Sequence, residues 1–216
     1  MIDKYHHEVQ LIENDKKYGT CYVFPSFIQT ETDGSITIIL DKPLHVLGGI
    51  HSDLDIRTKC DLFAVGSIRS SLESITILGD LETKYNDDAP NLLGEDPGHI
   101  KAQKDLIVNG NVEAEGMVEV KGDVKIDGNL WVAHTSNIGG DLLVEGNCEI
   151  GNKLSVGGDL HIKGSLRKYR GYRYLNNGKI NVMVNGNIYI DGNVSLPGEI
   201  TCKGKIEIKG DRSCDA

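Results

Sequence analysis

Residues 110–133 read GNVEAE, GMVEVK, GDVKID, GNLWVA. The template is Gly-x-φ-x-φ-x, with φ apolar. The φ-x-φ core is the alternation of a half-buried strand, and the glycine marks a corner every six residues. The phase holds downstream through GDLLVE from Gly140, GDLHIK from Gly158, GNIYID from Gly186, and on to GKIEIK from Gly204. It also holds where the glycine is lost, in HTSNIG from His134 and NKLSVG from Asn152. Upstream it runs back through KDLIVN and GHIKAQ to Gly98, and an earlier block from Ile36 to about Lys84 keeps similar spacing with fewer glycines.

Residue identities recur at eighteen. Asn111, Asn129 and Asn147 form one column, and Asp123, Asp141 and Asp159 another. Interior columns follow, such as Val124, Leu142, Leu160 and Val120, Ile138, Val156. Three hexads per coil predict an all-β fold, a triangular single-stranded parallel β-helix of about eight coils, roughly 40 Å long at ~4.8 Å per coil. An antiparallel meander has no reason to repeat identities at eighteen. In the early block the same rule places Ile38 over Ile56, Leu44 over Leu62 and Ile50 over Ile68. Glycine, Asn and Asp at the corners point to backbone angles that other residues avoid.

The bulk numbers agree with a folded solenoid. The chain has 216 residues and 26 glycines, without the Gly-X-Y period of collagen. The formal charge of −9 keeps the chain soluble and opposes broad contact with a phosphate backbone. No apolar run is long enough to span a membrane, and the start lacks a signal-peptide core, so a cytoplasmic location with no membrane partner is expected. Five scattered cysteines show no disulfide frame and no metal spacing, so no cofactor is expected.

Three segments break the template. Residues 1–35 are expected to cap the helix, with a short helix at the start, because a solenoid end exposes unpaired backbone. Residues 36–210 form the helix and 211–216 a tail. Residues 85–97 are an acidic insertion that would replace strands of one coil, since Gly79 to Gly98 is one coil plus one residue. Residues 167–179 interleave Arg167, Lys168, Arg170 and Arg173 with Tyr169, Tyr172 and Tyr174. Arg and Tyr are enriched at interface hot spots and stack on bases. These seven residues are the candidate partner-binding set, for a protein first and a nucleic acid second.

No catalytic set is evident. Glycine falls two residues after the last φ, as in Ile126-Asp127-Gly128, unlike the hexapeptide acyltransferases. The outward column Glu113, Trp131, Glu149 puts two carboxylates roughly 9–10 Å apart around a tryptophan, close to an inverting glycosidase pair. Outward glutamates are also the default on a solvated face. The Asp123, Asp141, Asp159 column is read as solvated corner carboxylates rather than a calcium site.

The Gly-Asp and Gly-Asn hexads, with runs such as VEGN (144–147) and VGGDLHIKGSL (156–166), resemble the bactofilins over residues 98–166 and 180–210. The resemblance implies a right-handed triangular β-helix that assembles end to end into nonpolar scaffolding filaments without nucleotide. The N-terminal segment and the two insertions depart from that pattern. The expected function is therefore a non-enzymatic scaffolding solenoid that self-associates as a homo-oligomer or polymer. The alternatives are a stoichiometric protein-binding module, such as a phage-encoded inhibitor or fibre component using residues 167–179, and a carbohydrate-active β-helix enzyme.

Overall fold

A computed structural model describes residues 10–15, 19–25, 28–30, 34–84, 98–169 and 179–213. These residues contain strands and turns and no helix. The strands stack into three sheets of eleven, nine and nine, forming about nine coils of a β-solenoid. Every pairing is parallel except one, the strand Gln10–Asp15 lying antiparallel on Gly19–Phe24.

Most strands are three residues long because the chain must turn at the next glycine. In each, the first and third side chains point inward. Val112 and Ala114, Val118 and Val120, and Val124 and Ile126 are all buried, while Glu113, Glu119 and Lys125 face out. A stack of such triads buries one continuous aliphatic column, which is the main source of stability.

The first face carries Leu44–Val46, Leu81–Thr83, Val112–Ala114, Leu130–Val132, Cys148–Ile150 and Leu166–Lys168 among others. The second face includes Ile100–Ala102 and Val118–Val120, and the third Leu106–Val108 and Val124–Ile126. The coil is eighteen residues wherever nothing interrupts it: Val124 lies beside Leu142, and Leu142 beside Leu160.

The early block differs in two places. One residue is added in the corner after Ser70, so Ile75 and Leu81 stand beside Ile56 and Leu62 at a spacing of nineteen. Ile36, not Ile38, stands beside Ile56, whereas Leu44 over Leu62 and Ile50 over Ile68 hold. The corner that includes Asp41-Lys42-Pro43 is two residues longer than a standard one. The first coil also starts earlier than expected, with Gly19–Phe24 and Ile28–Gln29 already in parallel register. The stack therefore has nine coils rather than eight. Residues 1–9, where a short helix was expected, lie outside the described residues.

The insertions replace no strand. Ile75 pairs with Leu106 and Leu81 with Val112, each thirty-one residues on, so thirteen extra residues leave between Leu81–Thr83 and Ile100–Ala102. Leu160 pairs with Ile188, so the second insertion adds ten. Residues 85–97 and 170–178 themselves lie outside the described residues.

The glycines serve a different need from the one composition suggests. Among the described residues only Gly19 (φ 68°) and Gly98 (φ 78°) adopt the left-handed conformation. At the other corners the constraint is the coil below. A Cβ on Gly128 would stand 2.6 Å from the carbonyl oxygen of Gly110, and on Gly192 2.6 Å from that of Gly164. The backbone N–H of Gly128 donates to that same Gly110 oxygen at 3.0 Å.

Gly128→Ala should therefore destabilise the fold by about 1–3 kcal/mol, the cost of forcing backbone apart. Asn129→Ala should cost about 1–2 kcal/mol, because its side chain's three inter-coil hydrogen bonds, one donated to Asn111 and two accepted from Asn147, are lost. A urea melt followed by circular dichroism measures both. An unchanged midpoint for Gly128→Ala would contradict the close-approach account.

Candidate binding face and the open edge

The three edges of the prism are not alike. Along the edge between the third and first faces, Asp80 Oδ1 accepts from the backbone N–H of Asn111 at 2.6 Å. Asn111 Oδ1 accepts from Asn129 at 2.9 Å, Asn129 Oδ1 from Asn147 at 2.8 Å, and Asn147 Oδ1 from Ser165 at 2.9 Å. The side-chain amides of Asn129 and Asn147 repeat the same links. Along the edge between the second and third faces, Asp105, Asp123, Asp141 and Asp159 each accept from the backbone one coil on, at 2.7–2.8 Å. These aspartates are thus not simply solvated corners. The N–H groups of the next coil compensate their stacked charge, and Asn187 holds the Asp159 carboxyl below its ordinary range. Among the described residues no cluster of three or more potential metal ligands occurs.

The edge between the first and second faces lacks such a ladder along Gly116, His134 and Asn152. Both insertions leave through it. At the first, Thr83 Oγ1 donates to the Gly98 carbonyl at 2.7 Å and ties the base of the loop. The second leaves four coils further on, roughly 19 Å along the axis.

Of the seven candidate partner-binding residues, Arg167, Lys168 and Tyr169 are placed; Arg170, Tyr172, Arg173 and Tyr174 lie outside the described residues. Arg167 is exposed and Lys168 half-buried. Tyr169 is only 6 % exposed, so its side chain packs into the protein instead of meeting a partner. Along this edge Tyr169 follows Ala133 and Gly151, each one coil apart. Burial, and then the carboxylates of Glu113, Glu115 and Glu149, push its phenol up to about 12.

Lys168 breaks the core pattern. It takes the register of Ile150, an inward position, yet it lines an outer cleft. An ammonium without a partner is too costly to leave in an aliphatic column. The strand opens at this residue, just where the insertion begins.

The outward column on the first face is longer than the sequence suggests. Glu113, Trp131 and Glu149 stack as expected, and Arg167, Ser195 and Ser213 continue them. Arg167 keeps the spacing of eighteen, and Ser195 and Ser213 were hidden because the second insertion shifts the phase by ten residues. Glu149, Arg167, Lys168 and Ser195 line a cleft of about 480 Å³, together with Asn193, Asp211 and Ser213.

Most ion pairs on the solenoid join neighbours in sequence or stacked corners, such as Lys121–Glu119 at 3.0 Å and Lys209–Asp191 at 2.7 Å. Arg167 and Lys168 belong to none of the ion pairs among the described residues. Arg167 lies beside Glu149 in register but turns its guanidinium toward Ser165 Oγ at 3.4 Å.

The Tyr169 environment is testable. The folded state keeps the phenol protonated up to about 12, while the unfolded chain releases the proton near 10. Between those values the unfolded state binds fewer protons, so stability should fall by roughly 1.4 kcal/mol per pH unit. Tyr169→Phe should flatten that fall and remove the highest-pH component of the tyrosinate absorbance titration. An unaltered titration would show that Tyr169 is not buried.

No family model, curated protein or solved structure matches this chain.

Proposed function

We propose that the protein is a non-enzymatic scaffolding solenoid that self-associates through its C-terminal coil, with a second copy as partner. The observation that carries this reading is the contrast between the two ends of the described stack. At the N-terminal end Phe24, Ile36 and Ile38 are 2–7 % exposed and an antiparallel strand covers the edge of Gly19–Phe24, while Ile28–Gln29 and Ile36–Ile38 are the outermost strands of their sheets among the described residues. At the other end Ile200, Cys202 and Ile208 hold inward register positions but are only partly buried, and Ile206 is 41 % exposed.

Among the described residues no strand pairs with the outer edges of Ile200–Cys202, Ile206–Ile208 or Arg212–Ser213. Such a surface combines apolar area with free backbone donors and acceptors, which another sheet edge satisfies. Among the described residues the N-terminal end is the better covered and the C-terminal coil the more exposed, a contrast that favours a tail-to-tail pair, an isologous contact, over an open-ended filament. The resemblance of the hexads to those of bactofilins supports the scaffolding part of the reading.

Light scattering on the purified chain should give a mass twice that of one copy. Ile206→Glu, with an unchanged far-ultraviolet spectrum, should give a monomer, because a charge would be buried in the contact. A strict monomer at high concentration, or an assembly that Ile206→Glu leaves intact, would overturn the proposal.

A further inference from the structure

We infer that the first face is a binding site for oligosaccharides carrying a carboxylate, of the uronic acid class. The site runs from Trp131 across Glu149 to Arg167, Lys168 and Ser195. Three observations meet there.

The first is charge. Arg167 and Lys168 carry no ion pair among the described residues, although Glu149 is the register neighbour of Arg167. A guanidinium beside an ammonium, neither in an ion pair among the described residues, matches a ligand carboxylate, which arginine binds in a bidentate fork. The second is shape. Lys168, in register with the inward Ile150, lines a cleft of about 480 Å³, and two other lining residues, Ser195 and Ser213, come from strands only two residues long. A recess of this size suits a small polar ligand.

The third is the mixture of polar groups. Glu149 and Asp211 accept hydrogen bonds from hydroxyls, and Asn193 and Ser195 both donate and accept. Trp131 is half-buried two coils from Arg167, roughly 10 Å along the axis, and offers an apolar plate to the C–H face of a sugar ring. That distance is the reach of two linked pyranose rings.

A nucleic acid fits the same surface poorly. Glu113 and Glu149 precede the two cations along the track and Asp211 lies beyond them, where a sugar chain has hydroxyls to donate and a DNA phosphate backbone has none. The cleft opens on the first face, and Asp211 and Ser213 at one end of it belong to the terminal coil of the proposed contact, so the titration is run on the Ile206→Glu chain as well, where self-association is removed.

The test is calorimetric titration of the full chain with galacturonate, glucuronate-containing and mannuronate tetrasaccharides, at millimolar ligand. The same titration uses the methyl ester of the galacturonate tetramer, which keeps the rings and removes the charge, and a short single-stranded oligonucleotide. At least one uronate should bind. Arg167→Ala with Lys168→Ala, and separately Trp131→Ala, should each weaken it at least about tenfold, with unchanged thermal melts. The methyl ester should lose a similar factor. No binding by any of the three uronates would overturn the inference. So would equal binding of the ester, indifference to the Arg167 and Lys168 substitutions, or tighter binding of the oligonucleotide.

Discussion

Backbone meets backbone at the corners of this solenoid. Each coil lies so close to its neighbour that the residue above Gly110 or Gly146 has no room for a side chain. The same approach brings the N–H of Gly128 to the oxygen of Gly110 at 3.0 Å, and that of Gly164 to Gly146 at 2.9 Å. Corner amides, which in an ordinary turn face water, are therefore paired along the axis. The three-residue strands alone would offer little cooperative pairing. With the corners joined, two edges of the prism become continuous hydrogen-bonded seams, and the aspartate and asparagine side chains extend them.

This constraint decides where the molecule can vary. An insertion at a seam would break the ladder on both sides. The edge between the first and second faces carries no ladder, and both insertions leave there. The side chains beside that edge are also the ones that break local rules. Lys168 holds an aliphatic position without being buried, and Tyr169 is buried at a corner. Departures of this kind concentrate where a fold gives up regularity for something else. The cleft next to Lys168 is the clearest instance, with Arg167 beside it in no ion pair among the described residues.

Much of this was legible in the residues themselves. Between Gly98 and Lys168 the period of eighteen is unbroken, so the asparagine and aspartate columns and the Glu113, Trp131, Glu149 stack could be read directly. The run Ile36-Thr37-Ile38-Ile39-Leu40 could not be phased. Apolar residues fill every plausible register there, and the lengthened corner at Asp41-Pro43 leaves no mark in the pattern. The continuation of the outward column through Ser195 and Ser213 was hidden for a related reason, since ten inserted residues move it out of phase. The role of glycine was misread in kind. Dihedral freedom is a property of one residue, but the close approach of two coils exists only after stacking.

Amide hydrogen exchange followed by NMR tests the stacked-corner account most directly. The backbone amides of Gly128, Asn129, Asp141 and Asn147 sit at chain reversals, yet each donates to the coil before it. They should exchange as slowly as those of the core strands, in the same cooperative unit. Exchange of these amides at the rate of exposed turns, while the strand amides stay protected, would contradict the inter-coil seams.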